Sequence, residues 1–180
     1  MRISLVKKNL MVIAILLLLG GTSIIAQTQK IGFVDSQIIL TQYPAAIKAQ
    51  GDLDAITNLW SAQLDSMTLA YQQALTNYQQ QANTMPEDQQ LTAQQNIVGM
   101  EQRIIDFRRK KFSQPDGEIF RKQDEIFAPV KNKIYAAIEV VAKEEGMNFV
   151  FDKSGDILLL YADAAFDVTY KVLDRLKRGN

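Results

Sequence analysis

The chain has 180 residues with 20 basic and 20 acidic side chains, and it contains neither His nor Cys. The lack of Cys excludes disulfides, thiolate nucleophiles and Cys-ligated zinc, and the lack of His excludes imidazole bases and His-bound metals. The sequence also has no glycine-rich phosphate-binding motif. We therefore predict a binding protein rather than an enzyme, with no catalytic residue, no cofactor and no metal ion.

Residues 1–26 have the layout of a secretory signal peptide. Three cations precede an unbroken apolar run, Leu10–Leu19, and small residues follow as far as Ala26. A retained membrane anchor is the alternative, but this run is shorter than the roughly 20 apolar residues that span a bilayer. Cleavage near Ala26 would remove the three cations and leave 17 basic against 20 acidic groups. A mature chain with this net negative charge is not expected to bind nucleic acid.

The mature chain opens with a short strand and a short helix. Alternation places Ile31 and Phe33 on one face of a strand at residues 30–35. Ser36 is suited to cap the helix that follows, and Pro44 is suited to the first turn of the next helix. Residues 27–43 are predicted to belong to a β-rich body.

Residues 44–145 are predicted to form a long helical hairpin, which we call the arm. From Ala45 to about Asn83 there is no Pro, and good helix formers dominate. The apolar residues recur every eleven positions, close to the pitch of a straight helix, so they form one narrow stripe that should be buried inside the hairpin. The stripe consists of Leu53, Ile56, Trp60, Leu64, Met67, Tyr71, Leu75, Tyr78 and Ala82.

A turn near residues 84–87 is predicted to reverse the chain, because Pro86 followed by two acids is typical of a helix start. The second helix runs towards Gly146, which should end it. The segment Pro115–Gly117 and the residue Pro129 are expected to kink or break this helix. Its less regular apolar stripe consists of Leu91, Ile97, Ile104, Phe112, Ile119, Ile126, Val130, Ile134, Ala137 and Val141.

Residues 146–180 are predicted to complete the body. Residues 147–152 and 157–161 should be strands joined by a turn at residues 153–156, and Asp167 should cap a final helix. The predicted fold class is therefore α+β, with a coiled-coil-like arm on a small three-stranded body that carries a C-terminal helix.

The predicted body is too small to be stable alone. Its strands and final helix comprise about 40 residues, near the lower limit for a domain that lacks disulfides and metals. Residues 157–161 are apolar on both faces and need cover on both sides. We predict that the body forms an obligate homo-oligomer, with contacts through Ile31, Phe33, Phe149, Phe151, Ile157 and Leu159.

The order and spacing of five segments resemble the OmpH-like (Skp) family of periplasmic chaperones over essentially the whole mature chain. The segments are Lys30–Ser36, Ala128–Ile134, Ala136–Gly146, Phe149–Asp152 and Ala162–Leu176. The resemblance implies a homotrimer with a β-barrel body and three helical arms around a cavity. It also implies a periplasmic holdase that binds unfolded outer-membrane proteins without ATP.

The densest cationic run consists of Arg108, Arg109, Lys110 and Lys111. Four consecutive helical residues spread around the helix, so they do not form one focused patch. We interpret them as a solvated collar that pairs with acids of the facing helix. The alternative is contact with an anionic client or with lipid headgroups, which would give a weak membrane-surface contact.

Two other functions compete with the chaperone function. The first is a trimeric coiled-coil scaffold that binds one cell-envelope partner and protects no unfolded protein. The second is an enzyme that uses carboxylates or Lys, which would require a pocket of converging ionisable groups.

Overall fold

The structure is a computed structural model that describes residues 29–155 and 159–179. The predicted signal peptide, residues 1–26, and the predicted contact residue Ile157 lie outside these residues.

Five α-helices and two strands define the architecture of the described residues. They are β1 (Ile31–Val34), α1 (Ser36–Gln42), α2 (Pro44–Gln81), α3 (Glu87–Phe112), α4 (Glu118–Glu144), β2 (Phe149–Asp152) and α5 (Thr169–Arg178). Short 3-10 turns lie at Ala82–Thr84 and Ala164–Phe166. Long helices with one small sheet agree with the predicted α+β class.

The sheet contains two strands rather than the predicted three. β1 and β2 pair in parallel, with Ile31 opposite Phe149 and Phe33 opposite Phe151. A parallel pair requires a long crossover, which α1 to α4 supply. The predicted third strand is not confirmed, because residues 159–161 have no strand structure. The outer edge of β1 is already occupied, since the carbonyl of Phe33 accepts a hydrogen bond from the backbone N–H of Val168 at 2.9 Å.

Helix α1 begins one residue earlier than predicted and is capped by Asp35 instead of Ser36. The Oδ1 atom of Asp35 accepts a hydrogen bond from the backbone N–H of Ile38 at 3.0 Å. This bond satisfies one of the N–H groups that every helix start leaves without a partner. Pro44 occupies the first turn of α2, as predicted.

The core of the body lies where α1, the start of α2, the end of α4 and α5 meet. Its most deeply buried large side chains are Ile39, Val168, Val172 and Leu173. The remaining members of this cluster are Val34, Tyr43, Ala46, Ala49, Val130, Ile134, Ala137 and Val141. The arm therefore enters the body as two helices whose ends are part of its core.

Beyond the body, α2 and α3 run antiparallel in one constant register. Near the turn, the Gln94 side chain donates a hydrogen bond to the Tyr78 hydroxyl. Near the other end of α3, the rings of Trp60 and Phe112 meet edge to face, with centroids 6.2 Å apart. The distance in sequence from Trp60 to Tyr78 on α2 equals that from Gln94 to Phe112 on α3, so the register does not shift between the two contacts. Every member of the predicted α2 stripe is buried or half-buried, so this prediction is confirmed.

The second helix of the arm is interrupted where Pro115–Gly117 predicted a break. α3 ends at Phe112 and α4 begins at Glu118, with a cis peptide bond between Gln114 and Pro115. α4 continues through Pro129 without a break and ends at Glu144. Gly146 follows with φ of +64°, the left-handed conformation that makes glycine a helix terminator. Leu91 is exposed, so its predicted place in the buried stripe is wrong.

Gly117→Ala is expected to distort the break between α3 and α4. A Cβ atom at this position would lie 2.6 Å from the backbone oxygen of Ser113 and 2.8 Å from its nitrogen. Because backbone atoms cannot rotate away, the segment itself must shift, and such overpacking costs about 1–3 kcal/mol. Urea unfolding followed by circular dichroism measures the loss.

Gly51→Ala is the matched control, because Gly51 is an exposed residue inside α2 and no atom lies within 4 Å of its added Cβ. There, Ala is expected to stabilise the helix by about 0.8–1 kcal/mol. Equal effects of the two substitutions would contradict the steric explanation.

Candidate functional site

Four predicted contact residues lie on one face of the two-stranded sheet, which we call the body face. Ile31, Phe33, Phe149 and Phe151 share this face because alternate residues of a strand point to the same side and the register pairs them across the strands. Ile31 and Phe149 are 48% and 50% exposed, whereas Phe33 is 8% exposed. A sheet face with this much exposed apolar area is typical of an interaction surface.

The segment after β2 extends the body face. Leu159, Tyr161 and Phe166 join Ile31, Phe33 and Phe151 around a shallow groove of about 310 Å³. The structure thus brings five of the six predicted contact residues together, and the sixth, Ile157, lies outside the described residues. Phe166 was not predicted, because its only sequence signal is an apolar ring between two turn-forming acids.

A polar cluster at one end of the sheet fixes it to α1. The carboxylate of Asp152 accepts hydrogen bonds from the backbone N–H of Ser36 at 3.1 Å and from the hydroxyl of Ser154 at 2.7 Å. Burial raises the pKa of Asp152, but hydrogen bonds from Ser36 and Ser154 outweigh it, so the pKa of this carboxyl lies below its ordinary value. The ionised form of Asp152 therefore stabilises the body.

A second part of this cluster covers Phe33. The ammonium group of Lys153 lies 5.6 Å from the centre of the Phe33 ring and 3.4 Å from the carboxylate of Asp35. The fully buried hydroxyl of Thr169 accepts a hydrogen bond from the backbone N–H of Asp35 at 2.9 Å and donates one to Asp167. The bonds of Thr169 join β1, α1 and α5. The side chain of Lys153 lies over the Phe33 ring, which explains why Phe33 is less exposed than Ile31 and Phe151.

Asp152→Asn is expected to destabilise the body at neutral pH by about 1–3 kcal/mol, the typical cost of weakening hydrogen bonds to a charged group. An aspartate whose pKa is lower in the folded than in the unfolded chain stabilises the fold above its unfolded pKa. That contribution is lost as the pH falls through the folded pKa. The difference between the two proteins should therefore shrink in acid, as measured by urea unfolding at pH 7 and near pH 3.

Asp54→Asn controls for the loss of one negative charge, because Asp54 is exposed on the arm. If the free energies of unfolding of Asp152→Asn and the unsubstituted protein differed by the same amount at both pH values, the stabilising role of ionised Asp152 would be contradicted.

The cationic run is divided among different neighbours. Arg109 pairs with Asp106, and Lys111 pairs with Glu118, which also lies 3.7 Å from the ammonium group of Lys110. The expected pairing with acids of the facing helix is wrong, since these acids belong to α3 itself and to the start of α4. Arg108 is exposed and makes no ion pair within the described residues. Three of the four cations thus stabilise the arm locally.

Lys111 is the most constrained member of the run. Its ammonium group lies 4.3 Å from the centre of the Trp60 ring, so α2 contributes an aromatic face rather than an acid. The hydrogen bond from Lys111 holds the pKa of Glu118 below its ordinary value. Together these contacts connect α2, α3 and the start of α4 at the break between α3 and α4.

Neither a candidate metal site nor a helix that could cross a membrane occurs among the residues that the structure describes. No group of three or more acidic side chains has the geometry of a metal site. No helix there combines the length and the apolar character needed to cross a bilayer.

Comparison with known proteins identifies the family of this fold. A family model described as "Outer membrane protein (OmpH-like)" matches residues 30–176. The chain belongs to the OmpH-like family. A crystal structure from Caulobacter crescentus, described as that of a candidate outer membrane chaperone (OmpH-like), is similar to this OmpH-like chain with a TM-score of 0.70. The match covers 85% of this chain and 86% of that chain at 12% sequence identity, so it shows a shared fold. None of the curated proteins is significantly similar in sequence.

Proposed function

We propose that this OmpH-like chain is an ATP-independent periplasmic holdase that binds unfolded outer-membrane proteins between the arms of a homo-oligomer. Membership of the OmpH-like family and the structural likeness to a candidate outer membrane chaperone support the chaperone class. The proposal assigns no catalytic role, no cofactor and no nucleic acid to the chain.

The observation that carries the proposal is the length and surface of the arm. α2 has 38 residues, which at about 1.5 Å per residue gives a rod on the order of 57 Å long. Only one narrow stripe of α2 is covered, so most of the arm is open to solvent. Such a rod offers many weak contacts to an extended client, and weak contacts allow release once the client reaches a more stable state.

The client contact is proposed to be the apolar and neutral polar surface of the arm. Exposed apolar side chains occur along both of its antiparallel helices, including Leu59, Leu69 and Val98. The cationic run was the sequence-based candidate, but pairing of Arg109, Lys110 and Lys111 with nearby acids reduces the charge that it can present. A lipid-headgroup contact at this run would therefore be weak.

The body face is proposed to hold the copies together. Exposed aromatic and aliphatic side chains on an exported body would favour aggregation unless another copy covered them. The resemblance to the OmpH-like (Skp) family implies three copies. Three arms on one shared base would then surround a common space, as a holdase requires.

The direct test is suppression of aggregation. An outer-membrane protein is diluted from urea into buffer without nucleotide, and light scattering is followed with and without the purified mature chain. A holdase is expected to suppress most of the scattering at a small molar excess of the assembly. No suppression for several unrelated outer-membrane proteins would contradict the proposal and favour a scaffold for one envelope partner.

A further inference from the structure

A groove lies on the body where the junction of α1 and α2 meets α4 and α5, and we call it the helical groove. Its volume is about 290 Å³. Tyr43 of the junction, Lys133 of α4 and Arg175 of α5 line it. Aliphatic side chains form most of the remaining wall, namely Ala136, Ala137, Val140 and Leu176. Apolar walls with a few polar groups, in a volume near the lower limit of about 300 Å³, are typical of a site for a small ligand.

The helical groove is separate from the body face. Successive residues of a strand point to opposite sides of a sheet, so Val34 and Val150 point away from Ile31 and Phe33. Val34 and Val150 pack in the buried cluster with α1, α2, α4 and α5, which places these helices behind the sheet. Contacts through the body face therefore do not cover the helical groove.

The hydroxyl of Tyr43 is a polar group without a partner. Tyr43 is 7% exposed and belongs to the buried cluster of the body. Its hydroxyl makes no hydrogen bond within the described residues, although the hydroxyls of buried tyrosines usually find a partner. Because Tyr43 lines the helical groove, an acceptor bound there can satisfy this hydroxyl.

Two cations line the same groove, and none of the described residues that line it is acidic. Lys133 is exposed and makes no ion pair within the described residues. The residues three and four positions away on α4 are Pro, Val and Ala, so its own helix offers no acid. The Nη1 atom of Arg175 donates a hydrogen bond to Glu144 at 2.7 Å, but the buried Nε atom has no partner within the described residues. The groove thus presents donors and positive charge.

A singly charged anion matches these groups. Lys133 contributes one unpaired positive charge, whereas the charge of Arg175 is shared with Glu144. A carboxylate brings one negative charge and two oxygens, which can accept hydrogen bonds from the Tyr43 hydroxyl and the Lys133 ammonium group. A phosphate monoester brings nearly two negative charges, and one of them would lack a counterpart.

The aliphatic walls select the rest of the ligand. A polypeptide in the groove would bury amide groups against side chains that offer them no hydrogen bond, which is costly. An alkyl chain has no such groups, and its burial against aliphatic walls is favourable. The groove therefore fits hydrocarbon better than polypeptide.

We propose that the helical groove binds a medium-chain alkyl carboxylate, which is a fatty acid. Its head lies at Tyr43 and Lys133, and its chain lies along Val140 and Leu176. A rotation of the Arg175 guanidinium toward the head gives Nε the acceptor that it lacks. The ligand then joins α4 and α5 to the start of α2, so binding stabilises the body in proportion to the ligand concentration.

Calorimetric titration of the mature chain with octanoate tests the site. Tyr43→Phe is the most informative variant, because it removes only a hydroxyl that has no partner in the described chain. It should leave the midpoint of thermal unfolding unchanged without added octanoate, and it should weaken octanoate binding several-fold. Lys133→Gln should weaken binding at least as much. Octan-1-ol has the same chain without the charge and should bind several-fold more weakly, and acetate should not bind measurably.

Lys177→Gln is the matched control, because Lys177 is an exposed cation of α5 that does not line the groove. It should leave octanoate binding unchanged. No measurable binding of octanoate to the unsubstituted chain would overturn the site. Equal losses in Lys133→Gln and Lys177→Gln, or no loss in Tyr43→Phe, would overturn the placement of the carboxylate. A short peptide with a free carboxyl terminus that bound more tightly than octanoate would overturn the choice of hydrocarbon. The holdase proposal is tested separately, by aggregation suppression without fatty acid.

Discussion

Replacement of Ile39 by Ala is expected to lower the free energy of unfolding by about 2–5 kcal/mol, the range for removing a large aliphatic side chain from a close-packed core. Ile39 is fully buried at the centre of the cluster that joins α1, α2, α4 and α5. Because the ends of both arm helices belong to that cluster, the cavity would loosen the arm from the body. Urea unfolding monitored by circular dichroism at fixed protein concentration measures the change, since assembly would otherwise alter the midpoint.

Leu59→Ala is the control for Ile39→Ala, because both changes shorten an aliphatic side chain in a helix and Leu59 is exposed on the arm. Its expected effect is within about 0.5 kcal/mol. If the two substitutions destabilised the protein equally, burial at the centre of the body would not be the source of its stability.

Much of the arm could be predicted because its stability depends on local periodicity. The eleven-residue repeat on α2 fixes which side chains point to one side of the helix, and each of them is buried or half-buried. Pro115 and Gly117 are local signals for the break between α3 and α4. Leu91 was misplaced because an apolar residue on a helix has no intrinsic direction; it is exposed, whereas Ile97, Ile104 and Phe112 of the same predicted stripe are buried or half-buried.

The body was harder to predict because its structure depends on contacts between distant residues. Nothing next to Asp35 in sequence shows that its backbone N–H bonds to Thr169, 134 residues later. The apolar character of residues 157–161 predicted a third strand, yet residues 159–161 have none within this chain. A continuous apolar run shows that a segment needs cover on both faces but does not say which chain provides it.

The ion pairs of the arm could not be predicted from the sequence for the same reason. Arg109, Lys110 and Lys111 were expected to pair across the hairpin. Instead Arg109 pairs with Asp106 of its own helix, and the interruption after Phe112 brings Glu118 beside Lys110 and Lys111. The pairing thus depends on how the chain turns at the break. Trp60 then faces Lys111 instead of an acid, a contact that no sequence pattern indicated.

Phe149→Lys is expected to dissociate the assembly. The sequence predicts that the body cannot fold alone, but the buried cluster around Ile39 lies within one chain, so we expect each separated copy to keep its helices. Phe149 is half-exposed on the body face and lies opposite Ile31 in the sheet. In a single copy a Lys at this position can reach water at little cost, but between copies it would bury a charge among apolar side chains, which costs several kcal/mol. A change of about 4 kcal/mol shifts an association constant by roughly a thousandfold. Sedimentation at micromolar concentration should therefore give the mass of a monomer.

Tyr170→Lys is the matched control, because Tyr170 is also an exposed aromatic residue but lies on α5, outside the two-stranded sheet. It should leave the mass unchanged. Circular dichroism of both variants should retain the helical signal, since the core of the body does not include either residue. Loss of helix in Phe149→Lys would mean that the body cannot fold without its neighbours, which is the obligate assembly inferred from its size. An assembled Phe149→Lys protein would contradict the role of the body face, because no oligomer that buries this surface could accept an unpaired ammonium group there.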